Sequence, residues 1–171
     1  VFVHPFDDAR IVAGQATLGL EIVEQLPDVA TVVVPVGGGG LAAGVAFAVR
    51  ALRPDCRIIA VQSAAFPSLR RSLDAGEVQV LDASPTIADG IAVKQLGAIP
   101  FELLRTLVDE VVEVTEDELS TAILWSMERA KQVLEGAGAA SLAALLAGKV
   151  ASDGPVVLVA AGGNIDPAAL V

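Results

Sequence analysis

The sequence predicts an α/β protein with a mostly parallel twisted sheet and helices on both faces. Apolar residues make up 54% of the chain and aromatic residues only 4%, so Val, Ala, Leu and Ile must supply most of the packing. Short continuous runs of Val and Ile are typical of strands that are buried on both faces. These runs alternate along the chain with amphipathic segments, which is the order that produces parallel strands joined by right-handed crossovers.

Four short apolar runs are predicted to be strands, and the segments around them are predicted to be helices. The strands are expected at residues 31–36, 57–62, 111–115 and 156–160. The helices are expected at residues 9–26, 41–52, 67–75 and 101–108, then from 116 through 127, and at about 138–147. Asp8 is the expected N-cap of the first helix, and Thr115 with Glu118 forms a capping box before the fifth.

Residues 78–100 show no clear periodicity and are long for a plain connector. We therefore expect this segment either to serve the function or to wrap around another domain.

Charge and cysteine content exclude several classes of function. The net charge of −10 argues against a nucleic-acid surface, which needs clustered Lys and Arg. Cys56 is the only cysteine, so an internal disulfide is excluded, and we expect its thiol to be inert filling. No apolar run is long enough to cross a membrane, and no cleavable leader pattern is present, so a cytoplasmic protein is expected.

Four successive glycines, Gly37 to Gly40, stand between the first predicted strand and a helix that starts at Leu41. Without Cβ atoms the backbone can approach a ligand closely, and the following helix adds its positive N-terminal end. Ligands of parallel α/β sheets also bind at the carboxyl ends of strands. The loop is therefore expected to hold the phosphate of a small molecule, with a plain tight turn as the alternative.

Two other kinds of phosphate loop fit this segment less well. A nucleoside-triphosphate loop needs Lys followed by Ser or Thr, whereas Leu41 and Ala42 follow Gly40 here. The dinucleotide fingerprint is loosely met, but it needs an acid at the end of the next strand, which ends here at Gln62. A dinucleotide is therefore the second choice.

Five motifs occur in a fixed order along nearly the whole chain. They are His-Pro-Phe-Asp-Asp at 4–8 with Ala-Gly-Gln-Ala-Thr at 13–17, the glycine loop at 34–41, Thr-Ile-Ala-Asp-Gly at 86–90, Glu-Gly-Ala-Gly-Ala at 135–139 and Gly-Gly-Asn-Ile-Asp at 162–166. This set resembles the fold-type II pyridoxal-phosphate enzymes, specifically the threonine/serine dehydratase and serine racemase group. The resemblance implies the large domain of the tryptophan synthase β-like fold.

The resemblance also implies a cofactor, a substrate and a set of binding residues. The cofactor would be pyridoxal 5′-phosphate, with Gly90 near its ring and the backbone N–H groups of Gly37, Gly38, Gly39, Gly40 and Leu41 on its phosphate. Such enzymes remove water and then ammonia from L-threonine or L-serine and leave a 2-oxo acid. A serine racemase-like reaction is the alternative within the family, and a homodimer is expected.

The family's Schiff-base lysine lies in an N-terminal Ser-Phe/Tyr-Lys segment, and none of the three lysines here, Lys94, Lys131 and Lys149, has that context. The chain also begins without an initiator Met. We therefore expect residues 1–171 to be the C-terminal cofactor-binding portion of a larger two-domain catalytic unit, without a catalytic residue of its own and inactive alone.

Two further departures concern the cofactor ring and metals. Ala161 stands where the family usually has Ser, Cys or Thr donating a hydrogen bond to the pyridine nitrogen, which Ala161 cannot do. No carboxylate follows the second strand, where some relatives carry a cation site, so no metal is predicted there. A non-catalytic phosphate-ligand-binding domain is therefore the alternative from another class of function.

Four more side chains attract attention as candidates. We expect His4 to be structural and to line the junction with the missing domain, and Asp89 to orient its loop through backbone N–H bonds. Glu135 is expected either to cap a helix or to lie near the cofactor ring. Trp125 is expected in the core or at a subunit interface.

Overall fold

A four-stranded parallel sheet forms the centre of the protein, as a computed structural model that describes residues 2–165 shows. Its strands are β1 (Thr31–Pro35), β2 (Arg57–Ser63), β3 (Glu110–Val114) and β4 (Val156–Leu158). They lie in the order β3-β2-β1-β4, and all three neighbouring pairs are parallel. The predicted parallel α/β class is confirmed.

Six α-helices in the described part of the chain cover the two faces of this sheet. They are α1 (Ala9–Gln25), α2 (Gly40–Leu52), α3 (Ser68–Ala75), α4 (Ala98–Leu107), α5 (Glu116–Trp125) and α6 (Gly136–Leu146). Alternate residues of β1 point to opposite faces, so Val32 and Val34 pack with the helices α1 to α4. Val33, between them, packs with α5 and α6. All three side chains are fully buried, which explains why the strand reads as a continuous apolar run.

The helix starts predicted from capping residues are confirmed. The Asp8 side chain accepts a hydrogen bond from the Arg10 N–H at 2.8 Å at the start of α1. At the start of α5, Thr115 Oγ1 accepts from the Glu118 N–H, and the Glu118 carboxylate accepts from the Thr115 N–H at 2.8 Å. Each pair satisfies backbone donors that a helix leaves without partners.

Helix α3 is capped by a side chain from outside the helix, which its own sequence does not indicate. Its N-cap residue is Pro67, whose side chain makes no capping bond. Instead, the buried amide oxygen of Gln62 in β2 accepts from the N–H groups of Leu69 and Arg70 at 2.9 and 3.2 Å. Its amide nitrogen donates to Ser68 Oγ at 3.0 Å, so this side chain joins the helix to the strand.

Several boundaries differ from the expectation: α4 begins three residues earlier, at Ala98, and the first three strands shift by one residue at one or both ends. Strand β4 ends at Leu158, where its pairing with β1 ends, although the Val159 N–H still donates to the Val33 carbonyl. The fifth helix gives way at Ser126–Ala130 to a π-helical turn, in which Ser126 Oγ donates to the Gln132 carbonyl at 2.8 Å. Helix α6 begins two residues earlier than expected, at Gly136.

The exposure of Trp125 and Cys56 tests two further predictions. Trp125 is 40% exposed at the end of α5, so the core alternative is wrong and the subunit interface stays a prediction. Cys56 is 1% exposed, and burial raises the pKa of its thiol, which agrees with inert filling.

Among the helices within residues 2–165, none has the length and apolar character to span a bilayer.

Candidate functional site

The topology of the sheet creates a crevice between β1 and β4. Successive crossovers lead from β1 to β2 and β3, and the chain then returns past β1 to form β4 on its other side. In open α/β sheets, ligands bind at such a switch point, outside the carboxyl ends of the strands. Gly37 follows β1 closely, and Ala161 follows β4, so both flank this crevice.

A cleft of about 370 Å³ opens at this place. Its wall includes all seven residues that the sequence singled out for cofactor binding, namely Gly37, Gly38, Gly39, Gly40, Leu41, Gly90 and Ala161. Segments that are far apart in sequence therefore meet around one space.

The glycine loop leaves a row of backbone donors without a protein acceptor among residues 2–165. Within the described part of the chain, the N–H groups of Gly37, Gly38, Gly39, Gly40 and Leu41 donate to no protein acceptor. The loop is held by its carbonyl groups instead: Gly38 accepts from the Gly97 N–H at 3.0 Å, and Gly39 accepts from the Ala43 N–H at 2.8 Å. A row of free N–H groups at the start of α2 is an anion-binding arrangement.

Two of the glycines are required by their surroundings. A Cβ on Gly38 would overlap the ring of Phe6. Gly39 has a φ of +96°, and a Cβ there would lie 2.7 Å from the Cβ of Pro100. The loop can keep this shape only with residues that lack a side chain.

Phe6 is itself held in place by its neighbours. His4 Nδ1 accepts from the Asp7 N–H at 2.8 Å and from the Phe6 N–H at 3.4 Å, and the His4 ring meets the Phe6 ring edge-on at 4.6 Å. Asp7 Oδ1 accepts from the Ile99 N–H at 2.9 Å in the first turn of α4. The structural role expected for His4 is confirmed, and its junction with another domain stays a prediction.

The segment 86–91 brings Gly90 and Ile91 to the cleft wall, and Glu116 holds the start of this segment. The Glu116 carboxylate accepts from Thr86 Oγ1 at 2.6 Å and from the Ile87 N–H at 2.7 Å. Asp89 Oδ1 accepts from the Gly90 N–H at 2.8 Å, which confirms the expected loop contact. Within residues 78–100, Gly90 lines the cleft, so a functional role for this segment stays a prediction that agrees with its position.

Glu135 lies in the cleft wall, and its carboxylate does not cap α6. One of its oxygens, Oε2, accepts from the Asn164 N–H at 3.0 Å. The Glu135 N–H donates to the Gly162 carbonyl at 3.2 Å, so the residue joins the start of α6 to the segment after β4. Glu135 does occupy the N-cap position of α6, and its backbone carbonyl accepts from the Ala139 N–H at 2.9 Å, but its side chain makes no capping bond.

The lysines lie outside the cleft wall. Lys94 is exposed, Lys131 Nζ donates to the Glu128 carbonyl, and Lys149 pairs with Glu118 at 2.7 Å. Burial opposes ionisation of Glu118, but hydrogen bonds from Lys149 and Thr115 outweigh it and lower the pKa of the carboxyl. Within residues 2–165, no three His, Cys, Asp or Glu side chains converge as metal ligands would.

Sequence reasoning missed three residues of this site. Phe6 belongs to a recognised motif, but nothing local indicates that it packs on Gly38. Gln15 lines the cleft from α1. Glu116 carries no local signal of its contact, because its partner Thr86 lies 30 residues away. The last residue of the fifth motif, Asp166, lies outside the described residues.

A family model described as pyridoxal-phosphate dependent enzyme matches residues 1–162. The chain belongs to this family. Among its relatives is the L-threonine ammonia-lyase of Thermotoga maritima. The two sequences are 51% identical over a match that covers 97% of this chain and 41% of that protein. The catabolic L-threonine dehydratase of Escherichia coli K12 is 43% identical over 97% of the chain and 51% of that protein. The chain therefore spans about half the length of these relatives.

Solved structures give the same placement within the pyridoxal-phosphate dependent family. The processed form of threonine deaminase isoform 2 from Solanum lycopersicum superposes with a TM-score of 0.91 at 36% identity, covering 98% of this chain and 50% of that one. Maize serine racemase superposes with a TM-score of 0.93 at 35% identity, covering 99% of this chain and 53% of that one. The predicted family and its large-domain fold are confirmed.

Proposed function

We propose that residues 1–171 are the C-terminal cofactor-binding portion of a pyridoxal-phosphate-dependent ammonia-lyase that acts on L-threonine or L-serine. The observation that carries the proposal is the row of unpaired N–H groups from Gly37 to Leu41 in the switch-point cleft. The relatives named above as threonine ammonia-lyase and threonine dehydratase support the choice of reaction. The Schiff-base lysine would come from the preceding portion of the protein.

The glycine loop, residues 37–41, which we call the phosphate cradle, offers a phosphate group neutral donors alone. No Lys or Arg is among the described residues that line the cleft, so binding depends on backbone N–H groups and on the N-terminal end of α2. Gly90 packs closely on α6, since a Cβ at position 90 would lie 2.9 Å from the Cβ of Ala137. The absence of a side chain at Gly90 therefore lets this segment approach α6 at the wall of the cleft.

The roles of the chain are to orient the bound groups and to exclude water. Pyridoxal phosphate, when bound, supplies an electron sink for negative charge at the α-carbon of the amino acid. The amino acid loses its α-proton and β-hydroxyl as water and takes up water again as ammonia leaves, so the net products are a 2-oxo acid and ammonia. Ile91 and Val93 add an apolar wall that keeps bulk water from the ring.

The test uses the complete protein with added pyridoxal phosphate. We expect it to bind the cofactor, measured by equilibrium dialysis, and to release a 2-oxo acid and ammonia in equal amounts from L-threonine or L-serine. The isolated 1–171 chain should form neither product. Absence of cofactor binding to the complete protein would overturn the proposal.

A racemase activity is the second candidate, and the superposition with maize serine racemase favours it. The same reaction mixture decides between the two, because D-serine appearing faster than the 2-oxo acid would favour racemisation. A complete protein that binds phosphate but changes no amino acid would favour the non-catalytic domain.

We also propose that the complete protein is a cytoplasmic homodimer that binds a small amino acid and no nucleic acid. The net charge of −10 supports the last point, since it disfavours a phosphate backbone. Light scattering of the purified complete protein tests the dimer, and a monomeric mass would contradict it.

A further inference from the structure

Helix α4 cannot cap its own first turn with a side chain. Its N-cap residue is Gly97, so the N–H groups that a helix start leaves without partners need acceptors from elsewhere. Asp7 provides one from the segment before α1, because its Oδ1 accepts from the Ile99 N–H at 2.9 Å. Asp7 and Ile99 lie 92 positions apart, so this bond joins two distant parts of the chain.

Asp7 and Gly97 lie so close together that Gly97 has no room for a side chain. A Cβ at position 97 would lie 2.7 Å from the Cβ of Asp7 and 2.9 Å from its Oδ1. The backbone of Gly97 is extended, with a φ of −66° and a ψ of 149°, which any residue can adopt. The contact with Asp7, and not the backbone conformation, therefore accounts for the glycine at the start of α4.

The start of α4 in turn holds the glycine loop. The Gly97 N–H donates to the Gly38 carbonyl at 3.0 Å. The peptide between Gly38 and Gly39 is trans, so its carbonyl and its N–H point in opposite directions. The bond to Gly97 therefore turns the Gly39 N–H to the other side of the loop, where it has no protein acceptor in the described part of the chain. Gly39 lines the cleft, and Gly97 is not among the described residues that do so.

The peptide between Gly38 and Gly39 has little support of its own. Neither residue has a Cβ, so rotation of this peptide meets few steric barriers. In the opposite orientation the peptide would present the Gly38 carbonyl oxygen to the cleft, and a carbonyl oxygen only accepts hydrogen bonds. A phosphate needs donors at this place. The bond from the Gly97 N–H therefore favours the orientation that suits an anion.

We propose that Asp7 is a positioning residue of the phosphate cradle, an inference that rests on the proposed function above. Asp7 fixes the first turn of α4, and the Gly97 N–H then holds the Gly38 carbonyl. The Gly39 N–H is left facing the bound phosphate. Asp7 itself is not among the described residues that line the cleft, so its carboxylate acts through α4 and not on the ligand.

The experiment compares two ligands that differ only in the phosphate. Equilibrium dialysis of the complete protein measures its affinity for pyridoxal phosphate and for pyridoxal, which lacks the phosphate group. We expect Asp7→Ala to bind pyridoxal phosphate about tenfold more weakly and to bind pyridoxal as well as the unaltered protein does. Asp7→Asn keeps an oxygen acceptor at Oδ1 and should restore most of the affinity.

Asp8→Ala is the matched control. Asp8 is the next carboxylate in the chain, and it also accepts from an N–H in the first turn of a helix, that of Arg10 at 2.8 Å. The backbone of α1, however, donates no hydrogen bond to the glycine loop within residues 2–165. We expect Asp8→Ala to lower the stability of the protein in urea and to leave both affinities unchanged.

The outcomes separate the role of Asp7 from the proposed function. If the unaltered complete protein does not bind pyridoxal phosphate, both proposals fail. If it binds, and Asp7→Ala either binds equally well or loses affinity for pyridoxal to the same extent, only the role of Asp7 is overturned. The same conclusion follows if Asp7→Asn restores nothing.

A second variant serves if Asp7→Ala does not fold. The methyl group that Gly97→Ala adds would displace the Asp7 side chain. We expect the same selective loss of affinity for pyridoxal phosphate, and a loss that is absent or equal for both ligands would contradict the role of Asp7.

Discussion

The ring of Phe6 fills the space that a side chain on Gly38 would need. The two residues lie 32 positions apart, and their contact places the segment before α1 directly against the phosphate cradle. The shape of the loop thus depends on a side chain outside it, which His4 and Asp7 hold in position.

Gly38→Ala in the complete protein should weaken pyridoxal phosphate binding by about tenfold or more, because the new methyl pushes either the loop or Phe6 aside. Replacing Phe6 as well, as Phe6→Ala with Gly38→Ala, should restore part of the affinity. Gly14→Ala is the control, since nothing lies within 4 Å of its Cβ position. Equilibrium dialysis measures these proteins together with Phe6→Ala alone, and additive effects of the two substitutions would contradict the contact.

Gly39 and Gly76 offer a matched pair for stability. Both have positive φ, +96° and +76°, but only Gly39 has a close neighbour, Pro100. Gly76→Ala should cost about 1 kcal/mol of unfolding free energy from backbone conformation alone. Gly39→Ala should cost about 1–3 kcal/mol more because of overpacking. Urea unfolding measures both, and equal losses would show that Pro100 yields without cost.

Glu116 should act as a positioning residue for Gly90 although it lies outside the cleft wall. Glu116→Ala removes the acceptor for Thr86 and Ile87, at about 1–3 kcal/mol for a lost hydrogen bond to a charged group. We expect cofactor affinity to fall while α5 stays folded. Asp117→Ala, in the same first turn, is the control and should leave affinity unchanged. Equal effects of both substitutions would reduce Glu116 to a helix-dipole role.

Asp8 should give α1 a measurable acid sensitivity. Its hydrogen bonds with Arg10 lower the pKa of the Asp8 carboxyl from 3.8 to about 2. The pKa of Asp8 is lower in the folded protein than in the unfolded chain. Its contribution to the stability of the folded state is therefore complete above pH 3.8 and is lost as the pH falls through about 2. Asp8→Asn keeps a capping side chain without the charge. Its difference in thermal melting from the unaltered protein should vanish at low pH and shrink in high salt.

Cys56 should report unfolding. Its thiol is buried, and the burial raises its pKa, so alkylation by iodoacetamide at neutral pH should be slow in the folded protein. In denaturant the reaction should reach the rate of an ordinary thiol. Mass spectrometry follows the label, and rapid alkylation of the folded protein would contradict the burial of Cys56.

Local patterns were sufficient to predict the elements. The apolar run through Val32 and Val34, the cap at Asp8 and the box at Thr115 each depend on residues close in sequence, and each is found as expected. Boundaries that depend on partners were less accurate. Strand β4 stops where its pairing with β1 stops, and no residue within it signals that end.

The site was predictable where a motif carries it and hidden where a long-range contact does. The glycine loop and Gly90 stand in motifs, and both line the cleft. The contacts of Gln62 with α3 and of Glu116 with Thr86 become visible only once the chain is folded. Glu135 was ambiguous because a residue at a helix start can cap it or point away, and the backbone after β4 decides which.

The proposed phosphate site of the glycine loop consists of main-chain N–H groups, and this has an evolutionary consequence. No side chain in the loop can be exchanged to adjust its affinity, so mutational drift within it is confined to keeping glycine. Adaptation must instead act on the supports, Phe6, Pro100 and the segment around Ile91. Covariation among these distant positions, beside a loop that keeps its glycines, is the genetic record that such a backbone-built site should leave.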